Sequence, residues 1–88
     1  MTGWLSLKGV TPTVLRAGPY RFFFFSNEGL EPPHIHVKAG NDEAKFWLLP
    51  VELEVNYGFN RRELTAIENL IQENQDHLLE AWNEHLEA

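Results

Sequence analysis

Two of the chain's four histidines stand one residue apart in Glu31-Pro-Pro-His-Ile-His-Val-Lys38. Neutral imidazole nitrogens bind divalent metals at about 2.0–2.1 Å, so His34 and His36 could supply two ligands of a zinc-type site that needs three or four. No HExxH-like spacing supplies the rest. Glu28, Glu31 and Glu43 are candidate carboxylates, and His77 and His85 lie far along the chain. The expected cofactor is therefore none, with a divalent metal on His34 and His36 as a secondary reading. The same pair could act as general acid and base, because imidazole exchanges protons near neutral pH, with Lys45, Arg21 or Arg16 stabilising a phosphate-like transition state. That is the equipment of a metal-independent ribonuclease. Nothing marks a nucleophile or an oxyanion hole, and the plainer expectation is a hydrogen-bonded pair on the wet side of a strand. Trp47 could stack on a base or on a partner's side chain, although a tryptophan completing a secondary core is the commoner case.

The elements that must position these residues follow from pattern and punctuation. Thr13 to Ala17 and Tyr20 to Ser26 read as two strands joined at Gly18-Pro19. A loop through Pro33 leads to a third strand, His34 to Ala39. Gly40-Asn41-Asp42 supplies a turn, and Glu43 to Leu48 alternates as a fourth strand. Side chains alternate across a strand, so His34, His36 and Lys38 share one face, and Ile35, Val37 and Ala39 the other. A hairpin with Lys38 opposite Glu43 sets His36 opposite Lys45 and His34 opposite Trp47. A slip by one would pair Ile35 with Lys45, which is the costly arrangement. Four consecutive phenylalanines, Phe22 to Phe25, make both faces of the second strand apolar. One helical layer covers only one face, so the other needs shelter from Trp4 to Leu7, from residues 51 to 57, or from another chain.

Residues 50 to 58 suit either a strand or a loose helical turn. Asn60 followed by Glu63 resembles a capping box, and from there Leu64, Ile67, Leu70, Ile71, Leu78, Trp82 and Leu86 share one face of an amphipathic helix. Unbroken to Glu87, that helix would measure roughly 40 Å, against a diameter of about 30 Å for a compact domain of this size. It must break or overhang, and Asn74-Gln75-Asp76 is the polar interruption where a break is expected.

Eighty-eight residues, 43% of them hydrophobic, suffice for one domain, 1–88, with residues 1–11 as an N-terminal extension. The absence of cysteine excludes thiol chemistry and disulfides. A net charge of −6 argues against a general nucleic-acid binder. Yet five of the seven Lys and Arg precede residue 50 while the C-terminal stretch is rich in acids, so the sheet could still meet an anion. No apolar run approaches the ~20 residues of a membrane span, and no export signal is visible in Met1-Thr-Gly-Trp-Leu5, so the expected location is cytoplasmic.

Phe22 to Gly29, Glu31-Pro-Pro-His-Ile-His-Val37, Ala44 to Leu48, Gly58-Phe59 and the helix from Glu63-Leu64 to Glu80-Ala81-Trp82 together resemble the small bacterial family catalogued as domain of unknown function 4160. The resemblance runs collinearly from residue 12 to 86. It implies a small protein partner encoded nearby, in an arrangement like that of toxin–antitoxin modules, but no established reaction and no family active site. The expected fold is α+β: an antiparallel sheet of about four strands followed by a long or broken C-terminal amphipathic helix packed on one face. The expected function is a non-enzymatic protein-binding component, or alternatively a homodimer, using His34, His36, Lys45 and Trp47. The alternative is a small hydrolase, ribonuclease-like or metal-dependent, with candidates His34, His36, Lys45 and Arg21.

Overall fold

The computed structural model describes residues 13–25 and 29–87. Five strands form one antiparallel sheet in sequence order: β1 (Leu15–Ala17), β2 (Tyr20–Phe23), β3 (His34–Ala39), β4 (Asp42–Leu48) and β5 (Val51–Tyr57). Two helices follow, α1 (Arg61–Glu73) and α2 (Gln75–Trp82), and then a single wider π-type turn, Asn83–Glu87. The fold is α+β, with one strand more than the four expected. The additional strand is β5, from the stretch whose alternation suited a strand and whose distance from the next element suited a helical turn. It extends the sheet as an edge strand and does not fold over the second face.

Hairpin chemistry explains the register. The turns after β1 and β3 each place a glycine at positive φ, Gly18 at 58° and Gly40 at 62°, before a residue at negative φ. That is the type II′ pattern, whose twist matches the flanking strands. The β3–β4 ladder accordingly pairs His34 with Trp47, His36 with Lys45 and Lys38 with Glu43, as the turn length predicts. β4 returns to β5 through Leu49 and a cis Pro50. A bulge between Lys45 and Phe46 leaves Glu54 as the extra residue of β5.

One face of the sheet holds the core. Phe22, Phe24, Ile35, Val37, Ala44, Phe46 and Leu48 pack there against Phe59, Ile67, Ile71, Leu78, Ala81 and Trp82. Asn60 caps α1 as expected: its side chain accepts from the Glu63 amide at 2.8 Å, and its own amide donates to the Glu63 carboxylate at 3.0 Å. The helix breaks at Asn74, whose side-chain amide donates to the Leu70 carbonyl at 2.8 Å. Gln75 then donates to the Leu48 carbonyl at 2.6 Å, tying the start of α2 to the end of β4. The break lets α1 pack over β5 and α2 over β4. It also carries Trp82 to the end of the sheet where β3 begins. No helix among the described residues is long and apolar enough to cross a membrane.

Candidate functional site

The second face of the sheet is laid out in cross-strand rows, because residues opposite one another in an antiparallel ladder point the same way. One row holds Arg16, Arg21, Lys38, Glu43 and Tyr57; the next holds Phe23, His36, Lys45 and Val55; a third holds His34, Trp47 and Glu52. Sequence alternation placed His34, His36, Lys45 and Trp47 on one surface; the structure brings all four there and adds Arg21, which pairs with Lys38.

Burial departs from the expectation of a wet histidine pair. His34 is 0% exposed and His36 only 7%. The cause lies at the end of β2 and just beyond it, where Phe23 and Phe25 meet His36 on this side. The Phe23 ring stacks on His36 at 5.6 Å, and Phe25 meets it edge-on at 4.5 Å. His34 sits between His36 at 5.3 Å and Trp47 at 5.7 Å, with Trp82 of α2 tilted against it at 4.8 Å. Trp82 also meets Phe24 edge-on at 5.4 Å, so one indole closes the end of the sheet and contacts rings belonging to both faces.

A buried imidazole needs hydrogen-bond partners for its nitrogens. His34 Nδ1 lies 2.9 Å from the Pro32 carbonyl oxygen. A carbonyl only accepts, so Nδ1 carries the proton and, in the neutral ring, Nε2 keeps the lone pair. The Pro-Pro pair has a local role here: fixed φ angles hold the Pro32 carbonyl two residues back from the ring it accepts from. The Glu31 carboxylate is 3.9 Å from the same nitrogen.

Lys45 is the cation at the centre of this face. Its Nζ is 2.8 Å from Glu31 Oε1 and 3.7 Å from Glu54 Oε1, and lies 4.8 Å from the Trp47 ring centroid. Glu54 reaches it because of the β4–β5 bulge. Arg21 lies over the Phe23 ring at 4.9 Å and donates to Thr13 Oγ1 at 3.5 Å.

These contacts bear on each chemistry the residues could perform. Among the described residues no group of three or more His, Cys, Asp or Glu is placed to hold a metal ion. Glu31 approaches His34 on the nitrogen already bonded to Pro32, and Glu43 stands opposite Lys38 in another row. Glu28 lies outside the described residues, as do Trp4 to Leu7, one of the three alternatives for sheltering this face. For acid–base work a substrate must come within hydrogen-bond reach of the ring nitrogens, and both rings are enclosed by aromatic side chains. Lys45 and Trp47 are only partly buried, and Lys38 is exposed.

Four side chains of this site were not singled out from sequence as its members. Phe23 and Phe25 were read as part of an apolar strand, Trp82 as part of the helical stripe, and Glu54 as part of an ambiguous segment. The run Phe22 to Phe25 is the signal that could have revealed the burial, since a strand apolar on both faces implies cover on both. The other histidines stand apart from the pair. His77 donates through Nε2 to the Val14 carbonyl at 2.9 Å, and His85 lies by Phe24 at 6.4 Å. An open polar depression at the α1–α2 break, lined by Gln72 to His77, contains no residue of the aromatic face.

The sequence model of one family, described as Domain of unknown function (DUF4160), matches residues 20–83. No curated protein and no solved structure matches the chain.

Proposed function

The chain belongs to the DUF4160 family, and we propose that it is a non-enzymatic, cytoplasmic protein-binding component of a two-gene, toxin–antitoxin-like module. One observation carries this reading: His34 and His36 are enclosed while Lys45 and Trp47, opposite them in the ladder, keep part of their surface. Histidines held in this way are suited to fixing the shape of the sheet's second face. An aromatic ring with a cation beside it is a common anchor at protein interfaces. The neighbouring gene product implied by the family resemblance is the expected partner.

The hydrolase alternative requires a substrate group at an imidazole nitrogen, and the enclosure of both rings weighs against it. Calorimetric titration of the purified protein with the product of the adjacent gene tests the proposal. Binding is expected to weaken about tenfold, or about 1.4 kcal/mol, in a Lys45→Gln, Trp47→Phe variant whose melting curve remains cooperative. Cleavage of RNA by the wild-type protein, lost in a folded His36→Gln variant, would replace this reading with the hydrolase.

A further inference from the structure

Four of the chain's seven Lys and Arg side chains lie on the second face of the sheet, although the chain carries a net charge of −6. Lys45 is engaged with Glu31 and Glu54. The other three stand in a single cross-strand row, with Arg16 directly opposite Arg21 on β1 and β2, and Arg21 directly opposite Lys38 on β3. Arg16 and Lys38 are exposed, and Arg21 is held over Phe23. Among the described residues none of the three makes an ion pair, although Glu43 stands across from Lys38. Like charges directly opposite one another destabilise a sheet. A row of three such residues is the arrangement expected where an anion is to be received.

We infer that the Arg16–Arg21–Lys38 row receives an acidic helix of a partner protein lying across the strands. The inference rests on the protein-binding reading above and names the partner's chemistry. Neighbouring strands lie about 4.8 Å apart, so the row presents three cations at steps of roughly 5 Å. Carboxylates at i and i+4 on a helix are about 5–6 Å apart, a close match in step. A nucleic-acid strand fits less well, because it extends beyond three charges. Along the row it would run onto Glu43 and then Tyr57 of β5, where no cation stands to meet a further phosphate. The chain's own acidic positions Glu73, Asp76 and Glu80 are exposed, but they lie in the helical layer on the opposite side of the sheet. Two copies meeting through them would make a head-to-tail contact, not the self-complementary one of the common two-fold dimer, so a separate partner fits the row better.

The test is an NMR titration of the full chain at low salt with two probes: an alanine-rich synthetic helix carrying a glutamate at every fourth position, and hexauridylate. Saturable shifts confined to Arg16, Arg21 and Lys38 with the glutamate helix are expected. Affinity should weaken about tenfold in an Arg16→Glu, Lys38→Glu variant, and a helix carrying lysines in place of the glutamates should bind that variant better than it binds the wild type. The substitutions are at exposed positions, and a dispersed amide spectrum shows that the variant is folded. No saturable shift with the glutamate helix, shifts mapping elsewhere, or tighter binding of hexauridylate would each overturn the inference. So would a neighbour-encoded protein that binds without perturbing this row, an outcome that leaves the protein-binding reading standing.

Discussion

The two faces of this sheet are made from alternate residues of the same strands, yet they are buried by different means. On the core face Phe22, Ile35, Val37, Phe46 and Leu48 are at most 1% exposed, and no polar side chain is needed to fill the space. On the second face Phe23, His34 and His36 are nearly as deep, but burial fades through incompletely covered Lys45 and Trp47 to exposed Arg16 and Lys38. The first face is closed by helices. The second is closed at one end by its own aromatic rings and by Trp82 reaching around from α2. Apolar packing tolerates many residues of suitable volume, whereas a buried imidazole demands a fixed partner and a fixed tautomer. The second face is therefore the one whose geometry depends on a specific hydrogen bond, His34 Nδ1 to the Pro32 carbonyl, as well as on packing.

The contrast is broken most severely at the residue both faces share. Trp82→Ala removes an indole that contacts Phe24 on one side and His34 on the other. A loss of about 3–5 kcal/mol is expected in urea unfolding, the range for large aromatic truncations in a core. NMR shifts should change at both Phe24 and His34 if the indole serves both faces. Changes at Phe24 alone would show that the second face is closed without it. His34→Leu asks a narrower question, since leucine fills much of the volume and cannot donate to the Pro32 carbonyl. The expected cost is about 1–2 kcal/mol from the lost bond and the carbonyl left behind. A cost near zero would mean that this face is held by packing, as the core face is. In the wild-type protein, nitrogen chemical shifts should show the proton of neutral His34 on Nδ1.

The asymmetry between the faces also explains what could be read from sequence. Which side each residue takes was legible, because a two-residue turn and a period of two leave little freedom: Lys38 opposite Glu43 decides His36 opposite Lys45. The start of α1 was legible from Asn60 and Glu63, and its end from Asn74. How deep a residue lies was not, because alternation reports direction and is silent on cover; His34 points where expected and is nonetheless fully enclosed. β5 was legible only as one of two readings, since the alternation of Val51, Leu53, Val55 and Tyr57 suits a strand while their distance from the next element suits a helical turn, and no local pattern announces the bulge that breaks its ladder. That bulge is what brings Glu54 to Lys45. The contact of Trp82 with His34 depends on the turn of the chain at Asn74, a tertiary event 40 residues from the histidine in sequence.

Smaller effects sharpen the comparison at its margins. Asn60→Ala removes one half of the capping box on the helical side and should cost about 1 kcal/mol without moving any resonance of His34 or His36. A shift there would couple α1 to the second face through a route the contacts do not contain.

Lys45→Met is expected to have the smallest effect. Lys45 bonds Glu31 at 2.8 Å, and the two side chains are 15% and 44% exposed, so solvent screens the pair and its worth is about 0–1 kcal/mol. Methionine keeps an aliphatic stem against Trp47 while removing the charge. Urea unfolding at low and high salt should therefore separate two terms: a small loss at low salt that vanishes at high salt is the signature of a screened ion pair. If the variant instead lost more than about 2 kcal/mol and salt left that loss unchanged, Lys45 would be acting as a buried counter-ion for Glu31 and Glu54. The second face would then be a second core, with nothing at its centre available to a partner.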